Sequence, residues 1–202
     1  MAIICWLLLS VNGCATLDKN ECLNANWEAI GYKDGHDGYS RARIDQHRKA
    51  CAEYKVSPDL DTYLKGYEQG VRLFCEPQRG YQRGLNGYTY KDVCPKEMRR
   101  HYHAAYTEGR HIYDIEREID KHHKALKALD QDLSDLEQQR KDAEASLIKG
   151  HIPRSERARL VELIRDLDTK KQDMLDDIKH HEDEIAGLEE ELRDFRRRGR
   201  FR

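Results

Sequence analysis

Between Ile112 and Phe195 apolar residues recur at alternating steps of three and four, and this periodicity limits the folds open to the chain more than any other feature. From Ile112 the steps reach Ile115, Ile119, His122, Leu126, Leu129, Leu133, Leu136, Arg140, Ala143 and Leu147. Only His122 and Arg140 interrupt the apolar run. From Leu160 they reach Ile164, Leu167, Lys171, Met174, Ile178, His181, Ile185, Leu188, Leu192 and Phe195, again with two polar positions. A narrow apolar seam with charges elsewhere specifies helices paired as a coiled coil. Carrying the first seam past Leu147 would land on Arg157, Val161 and Asp168, so a continuous rod would bury Asp168. Gly150-His151-Ile152-Pro153 supplies the break, with Gly expected to cap the first helix and Pro to open the second. The expected result is an antiparallel hairpin with Leu147 opposite Leu160, Leu133 opposite Met174 and Ile112 opposite Phe195. Each arm would be about 50 Å long.

The chain has 202 residues, of which 37% are charged and only three are Phe, so one large core is not expected. All eleven tyrosines fall between Tyr32 and Tyr113, and nine of the thirteen glycines between Gly31 and Gly109. That shift in composition separates an aromatic, Gly-rich head from the charged hairpin. The expected division is a signal segment at 1–13, a head at 14–97 and a hairpin with a basic tail at 98–202. A formal net charge of -2, with thirteen acids and thirteen bases over residues 15–97, gives no footprint for nucleic acid.

Ala2 to Val11 is a ten-residue apolar run, half of what a bilayer span needs, and reads as the apolar core of a signal peptide. Its ending, Val11-Asn12-Gly13-Cys14, resembles the lipobox of bacterial lipoproteins. That resemblance implies cleavage before Cys14, acylation of Cys14 and, with Ala15 following, sorting to the outer membrane facing the periplasm. Four cysteines then remain, Cys22, Cys51, Cys75 and Cys94, an even set that implies two disulfides among three connectivities. Helical stripes choose among them. Leu23, Trp27 and Ile30 form one stripe and Ile44, His47, Cys51 and Tyr54 another, so an antiparallel pair joined at Asp37-Gly38 sets Cys22 beside Cys51. Ser57-Pro58 is expected to cap a third helix carrying Leu60, Leu64, Tyr67, Val71 and Phe74, which leaves Cys75 and Cys94 to bracket a Gly- and Tyr-rich loop. The fold class is therefore all-α: a small disulfide-stapled helical head followed by an antiparallel coiled-coil hairpin.

A short repeat runs through the head at Gly31-Tyr-Lys-Asp-Gly35, Gly66-Tyr-Glu-Gln-Gly70, Gly80-Tyr-Gln-Arg-Gly84 and Ala105-Tyr-Thr-Glu-Gly109. Glycines four apart bare one helix face and permit close helix approach, with the tyrosine packing beside it. The rival reading is a tyrosine-lined glycan groove formed by Tyr81, Tyr88 and Tyr90. At Glu21-Cys22, Trp27, Gly31-Tyr32, Asp34-Gly35, Lys49-Ala50-Cys51, Asp59, Tyr63, Gly66, Gly70, Cys75, Gly84, Gly87 and Val93-Cys94 the head resembles an uncharacterised family of proteobacterial envelope proteins, known as a domain of unknown function. The resemblance spans about residues 20–110 and brings no catalytic residues with it.

Asp34-Gly-His-Asp37-Gly is expected to be a turn, since Asp-Gly pairs are ordinary turn chemistry. No nucleophile motif, phosphate loop or zinc-protease signature is present in the sequence, and neither enzyme activity nor a cofactor is expected. No metal site is assigned, although His122 and His181 fall in adjacent layers of the hairpin and are the weak candidates for one. Their expected role is to weaken the seam and fix register. Arg140 and Lys171 are expected to lay their stems on the seam and keep their charges in water. The C-terminal run holds six Arg against Asp194, and Arg196, Arg197, Arg198, Arg200 and Arg202 are candidate contacts for anionic lipid. Together these readings predict an envelope lipoprotein that acts without catalysis. Its expected partners are the membrane, through its lipid anchor, and an unidentified envelope protein, through the hairpin. A peptidoglycan-binding module is the alternative.

Overall fold

The computed structural model describes residues 16–201. They are helical, with no strand among them: α1 Lys19–Leu23, α2 Trp27–His36, α3 Ile44–Cys51, α4 Leu60–Phe74, α5 Pro77–Leu85, α6 Lys96–Ile148 and α7 Arg154–Arg198. Single 3₁₀ turns at Arg41–Arg43 and Ala52–Tyr54 flank α3. The described chain divides into two compact units, residues 16–83 with 88–107, and residues 84–87 with 108–201.

In the first unit the helix starts are set by side-chain caps. Asp18 and Glu21 form a reciprocal capping box on α1, each bond 2.8 Å, and Asn26 accepts the Ala29 N–H at the start of α2. α4 is capped by Asp59, whose carboxylate accepts the Thr62 N–H at 3.0 Å, so the helix opens at Leu60 and Ser57-Pro58 lies before it. The Asp59 carboxyl is held below its ordinary range by that bond.

The unit is built on the crossing of α2 and α4. A Cβ added at Gly31 would sit 2.0 Å from the Tyr63 carbonyl oxygen, and one at Gly35 2.3 Å from that of Tyr67. From the other side, Gly66 and Gly70 would place theirs 1.9 and 2.0 Å from the carbonyl oxygens of Glu28 and Tyr32. Both helices therefore present bare backbone at a four-residue spacing and meet main chain to main chain. Because later residues of α2 meet later residues of α4, the two run parallel, and α3 is the returning element between them. The third repeat packs in the same way: a Cβ at Gly80 of α5 would approach the Tyr102 carbonyl of α6 to 2.8 Å. Residues 77–85 are thus a helix, where the sequence suggested a loop.

Disulfides join Cys22 to Cys51 and Cys75 to Cys94, and all four cysteines are buried. They close 29- and 19-residue separations at the ends of α1 and α3 and at the ends of α4 and α6. Loop entropy alone gives each bridge about 3 to 4 kcal/mol. Trp27, Tyr63, Tyr67, Phe74 and Tyr102 fill the space between them.

In the second unit α6 and α7 pair antiparallel. Arg140 Nε lies 2.7 Å from Asp168, Lys171 Nζ lies 2.6 Å from Glu137, and the His111 ring packs on Phe195 at 4.5 Å. In every such pair one residue number rises as the other falls. Ile112, Ile115, Leu136, Ala143, Leu167, Ile185 and Leu192 of the seam are buried. The reversal differs in detail from expectation. α6 ends at Ile148, the left-handed residue is His151 with φ 66°, and Pro153 is the N-cap residue before α7. No atom lies within 4 Å of a Cβ built on Gly150.

Candidate functional site

Polar chemistry in the first unit converges on Asp34. α2 carries this carboxylate into the interior, where it is 6% exposed, and α3 brings His47, 2% exposed, against it. His47 Nε2 lies 2.7 Å from Asp34 Oδ2, and the Tyr63 hydroxyl donates to the same oxygen at 2.8 Å. Arg43 Nε approaches the other oxygen, Oδ1, at 3.2 Å, while its guanidinium stacks 3.7 Å over the Tyr39 ring. An imidazole nitrogen facing a carboxylate carries the proton, and the other ring nitrogen, Nδ1, lies 2.8 Å from the Thr16 hydroxyl. The order hydroxyl, imidazole, carboxylate is one that nucleophilic enzymes use. Here the carboxylate also serves Tyr63 and Arg43, and burial closes both it and the imidazole to a substrate. The cluster binds α2, α3, α4 and the segment at Thr16 to one another.

The Asp34-Gly-His-Asp37 stretch is therefore divided. Asp37 and Gly38, with φ 69°, make the expected turn, and His36 Nδ1 lies 3.1 Å from Asp37 Oδ1. Asp34, one helical turn earlier, enters the core.

Burial pushes the Tyr63 phenol well above its ordinary range, and the hydrogen bond to Asp34 adds to the effect. Burial also pushes Tyr102 up to about 12 and raises Tyr67. An unfolded tyrosine releases its proton at about pH 10, whereas folded Tyr63 keeps it above that. Stability is therefore fully present below about pH 10 and falls as pH rises further, by about 1.4 kcal/mol per pH unit for each such tyrosine. Alkaline titration should show two stages of phenolate absorbance, the exposed tyrosines first and the buried ones together with loss of helical circular dichroism. A single stage at about pH 10 with the helices intact would contradict this burial.

A groove of about 430 Å³ lies in the same unit, lined by Tyr67, Val71, Val93 and Pro95, by the cations Arg41, Arg72, Lys96 and Arg99, and by the acids Glu68 and Asp92. Two of these cations are tied, Arg72 to Glu97 at 3.1 Å and Arg99 to Asp92 at 3.0 Å. None of Tyr81, Tyr88 and Tyr90 lines this groove. Tyr81 is buried, and Tyr90 packs against the rings of Tyr102, His103 and Tyr106. Of the three, Tyr88 keeps the exposed ring, with the Arg83 guanidinium 4.8 Å from its centroid.

In the second unit Arg140 pairs with Asp168 at 2.7 Å and with Glu144 at 3.0 Å, both at the exposed edge of the seam. Lys171 pairs across the arms with Glu137 and holds that carboxyl below its ordinary range. His122 and His181 meet directly, Nδ1 to Nδ1 at 2.8 Å. Among the described residues no group of three His, Cys, Asp or Glu side chains is placed to hold a metal ion, and no helix is long and apolar enough to cross a membrane. The basic run folds back on acids. Arg196 pairs with Glu116, Arg197 with Asp194, and the N–H groups of Arg200 and Phe201 donate to Glu108 at 2.7 and 3.2 Å. Arg198 donates to the Asp194 carbonyl. Next to the reversal Ile148 is 83% exposed, and it lines an open apolar hollow with Leu147, Val161 and Ile164. Cys14 and Arg202 lie outside the described residues.

Sequence reasoning missed His47 and Arg43 as partners of Asp34. It also missed Glu137 and Asp168 as partners of the two cations on the seam. Comparison with known proteins gives no match among curated proteins and none among solved structures. Residues 26–111, which include Asp34, His47, Tyr63 and the first three glycine repeats, match the family described as "Protein of unknown function (DUF2799)".

Proposed function

We propose that this chain is a bacterial envelope lipoprotein, anchored in the outer membrane by acylated Cys14 and facing the periplasm. It acts without catalysis, as a structural or adaptor protein working through its hairpin. The apolar run ending at Val11-Asn12-Gly13-Cys14 supports the anchor. Two buried disulfides suit an oxidising compartment outside the cytoplasm. The observation that carries the adaptor reading lies beside the reversal of the hairpin. The seam between α6 and α7 is closed within the chain, yet Ile148 and Val161 stay exposed and share an open hollow with Leu147 and Ile164. Apolar residues clustered on an otherwise charged surface mark a contact site. The occupant we assign is a second envelope protein.

Photoreactive residues placed at Ile148 and Val161 should crosslink in intact cells to another envelope protein, and one at exposed Gln139 should not. In parallel, the mass of the N-terminal peptide should show acyl chains on Cys14. An absence of adducts at both apolar positions would overturn the adaptor reading. Retention on purified sacculi that survives loss of residues 112–195 but is abolished by Tyr88→Ala would move the function to the head.

A further inference from the structure

His122 of α6 and His181 of α7 occupy seam positions whose neighbours one turn away are apolar, Ile119 and Leu126 on one arm and Ile178 and Ile185 on the other. Their rings are inclined at 66° with centroids 5.0 Å apart, and the two Nδ1 atoms face each other across the arms at 2.8 Å. Nitrogens that close share a single proton, because two N–H groups would clash and two lone pairs would repel. Glu118 Oε1 lies 3.9 Å from Nε2, the other nitrogen of His122, and the same oxygen accepts from the Lys121 ammonium at 2.5 Å. The charged residues one turn from the pair are all acidic: Glu118 on α6, and Asp177 and Glu184 on α7. The adjoining imidazoles are His123 and His180, the latter with its ring 5.6 Å from that of His181. Neither residue has a Lys or Arg one turn away on its own helix.

We propose that His122 and His181 bind a divalent transition-metal ion of the zinc class between the two arms, as two imidazole ligands through Nδ1, with the shared proton passing to Nε2 of the ring that held it and water completing the coordination. Zinc-to-imidazole bonds of about 2.0–2.1 Å place a tetrahedral pair of nitrogens about 3.4 Å apart, so the arms open by about 0.6 Å to admit the ion. Imidazole donors select zinc, copper or nickel over magnesium and calcium, which take oxygen ligands. Two protein ligands make the site exchangeable, so its occupancy follows the metal around it. Because the ion binds the closed arms and not the unfolded chain, it stabilises the hairpin by mass action. Metal affinity at imidazole ligands falls with pH, because only the deprotonated nitrogen binds.

The test uses untagged full-length protein in detergent, titrated with zinc chloride at about pH 7.5, where ordinary imidazoles are neutral. Calorimetry should show one ion per chain, and thermal unfolding should shift upward with zinc. His122→Gln and His181→Gln should each weaken binding about tenfold or more. His123→Gln and His180→Gln should leave it within about twofold, being outside the pair. The double variant His122→Leu with His181→Leu restores an apolar seam, so it should fold at least as stably and show no response to zinc. The proposal is overturned if zinc leaves unfolding of the native protein unchanged at every concentration short of precipitation. Binding that persists in the leucine double variant, or that depends on His123 or His180 instead, overturns it as well.

Discussion

Gly31→Ala is expected to destabilise the head by about 3 kcal/mol or more, the upper part of the range for overpacked interiors. The new methyl would lie 2.0 Å from the Tyr63 carbonyl oxygen, and its next neighbours, Tyr63 C and Tyr67 N, are also main chain, so no side chain can turn aside to make room. α2 and α4 would have to separate along the crossing that organises the unit. Gly66→Ala and Gly70→Ala meet carbonyl oxygens at 1.9 and 2.0 Å and should cost as much. Gly187→Ala supplies the contrast. It lies within α7 with nothing within 4 Å of the added carbon, so replacing a flexible helical residue should stabilise by about 0.5–1 kcal/mol. Urea unfolding, followed by near-ultraviolet dichroism for the head and far-ultraviolet dichroism for the helices, separates the two outcomes. Equal midpoints for Gly31→Ala and the native protein would show that the helices do not touch at this crossing.

Asp34→Ala should be comparably damaging, at about 3–5 kcal/mol, because removing one member of a buried ion pair strands the others. His47 Nε2 and the Tyr63 hydroxyl would lose their shared acceptor, and Arg43 would lose its counter-charge. Asp34→Asn keeps an acceptor oxygen but no charge, so its cost should be smaller, about 1–3 kcal/mol. Thr16→Ala removes only the outermost bond of the chain and should cost about 1 kcal/mol. That ranking, measured by urea midpoints, distinguishes a structural tie from a solvent-exposed group. A reversed order, with Thr16→Ala the most damaging, would contradict it.

Much of this architecture is legible in the sequence, and the reasons differ between the two units. The hairpin is readable because a seam of period three and four is a local pattern, and its one-residue phase offset excludes a rod. The glycine repeat discloses close helix approach because only glycine tolerates main-chain contact. The parallel pairing of α2 with α4 is not readable, since nothing local states which repeat meets which. α5 is hidden because two glycines in nine residues lower helix propensity, and the approach of Gly80 to the Tyr102 backbone outweighs it. Asp34 and His47 stand 13 residues apart on different helices, so spacing alone does not join them. One signal was available: His47 shares its stripe with Ile44 and Cys51, and a buried imidazole needs a buried partner. The pairs of Arg140 with Asp168 and Lys171 with Glu137 follow from the register once the fold-back is fixed, whereas charge pattern within one helix does not reveal them.

The claim on which the adaptor reading rests is that α6 and α7 fold back on each other within one chain. Spin labels at Ser134 and Asp173, both solvent-facing, test it by pulsed electron resonance on full-length protein diluted with unlabelled chains. Helices packed side by side have axes about 8–10 Å apart, so a label separation of about 20 Å or less is expected. A continuous helix would put these positions about 60 Å apart, and a distribution centred there would contradict the fold-back.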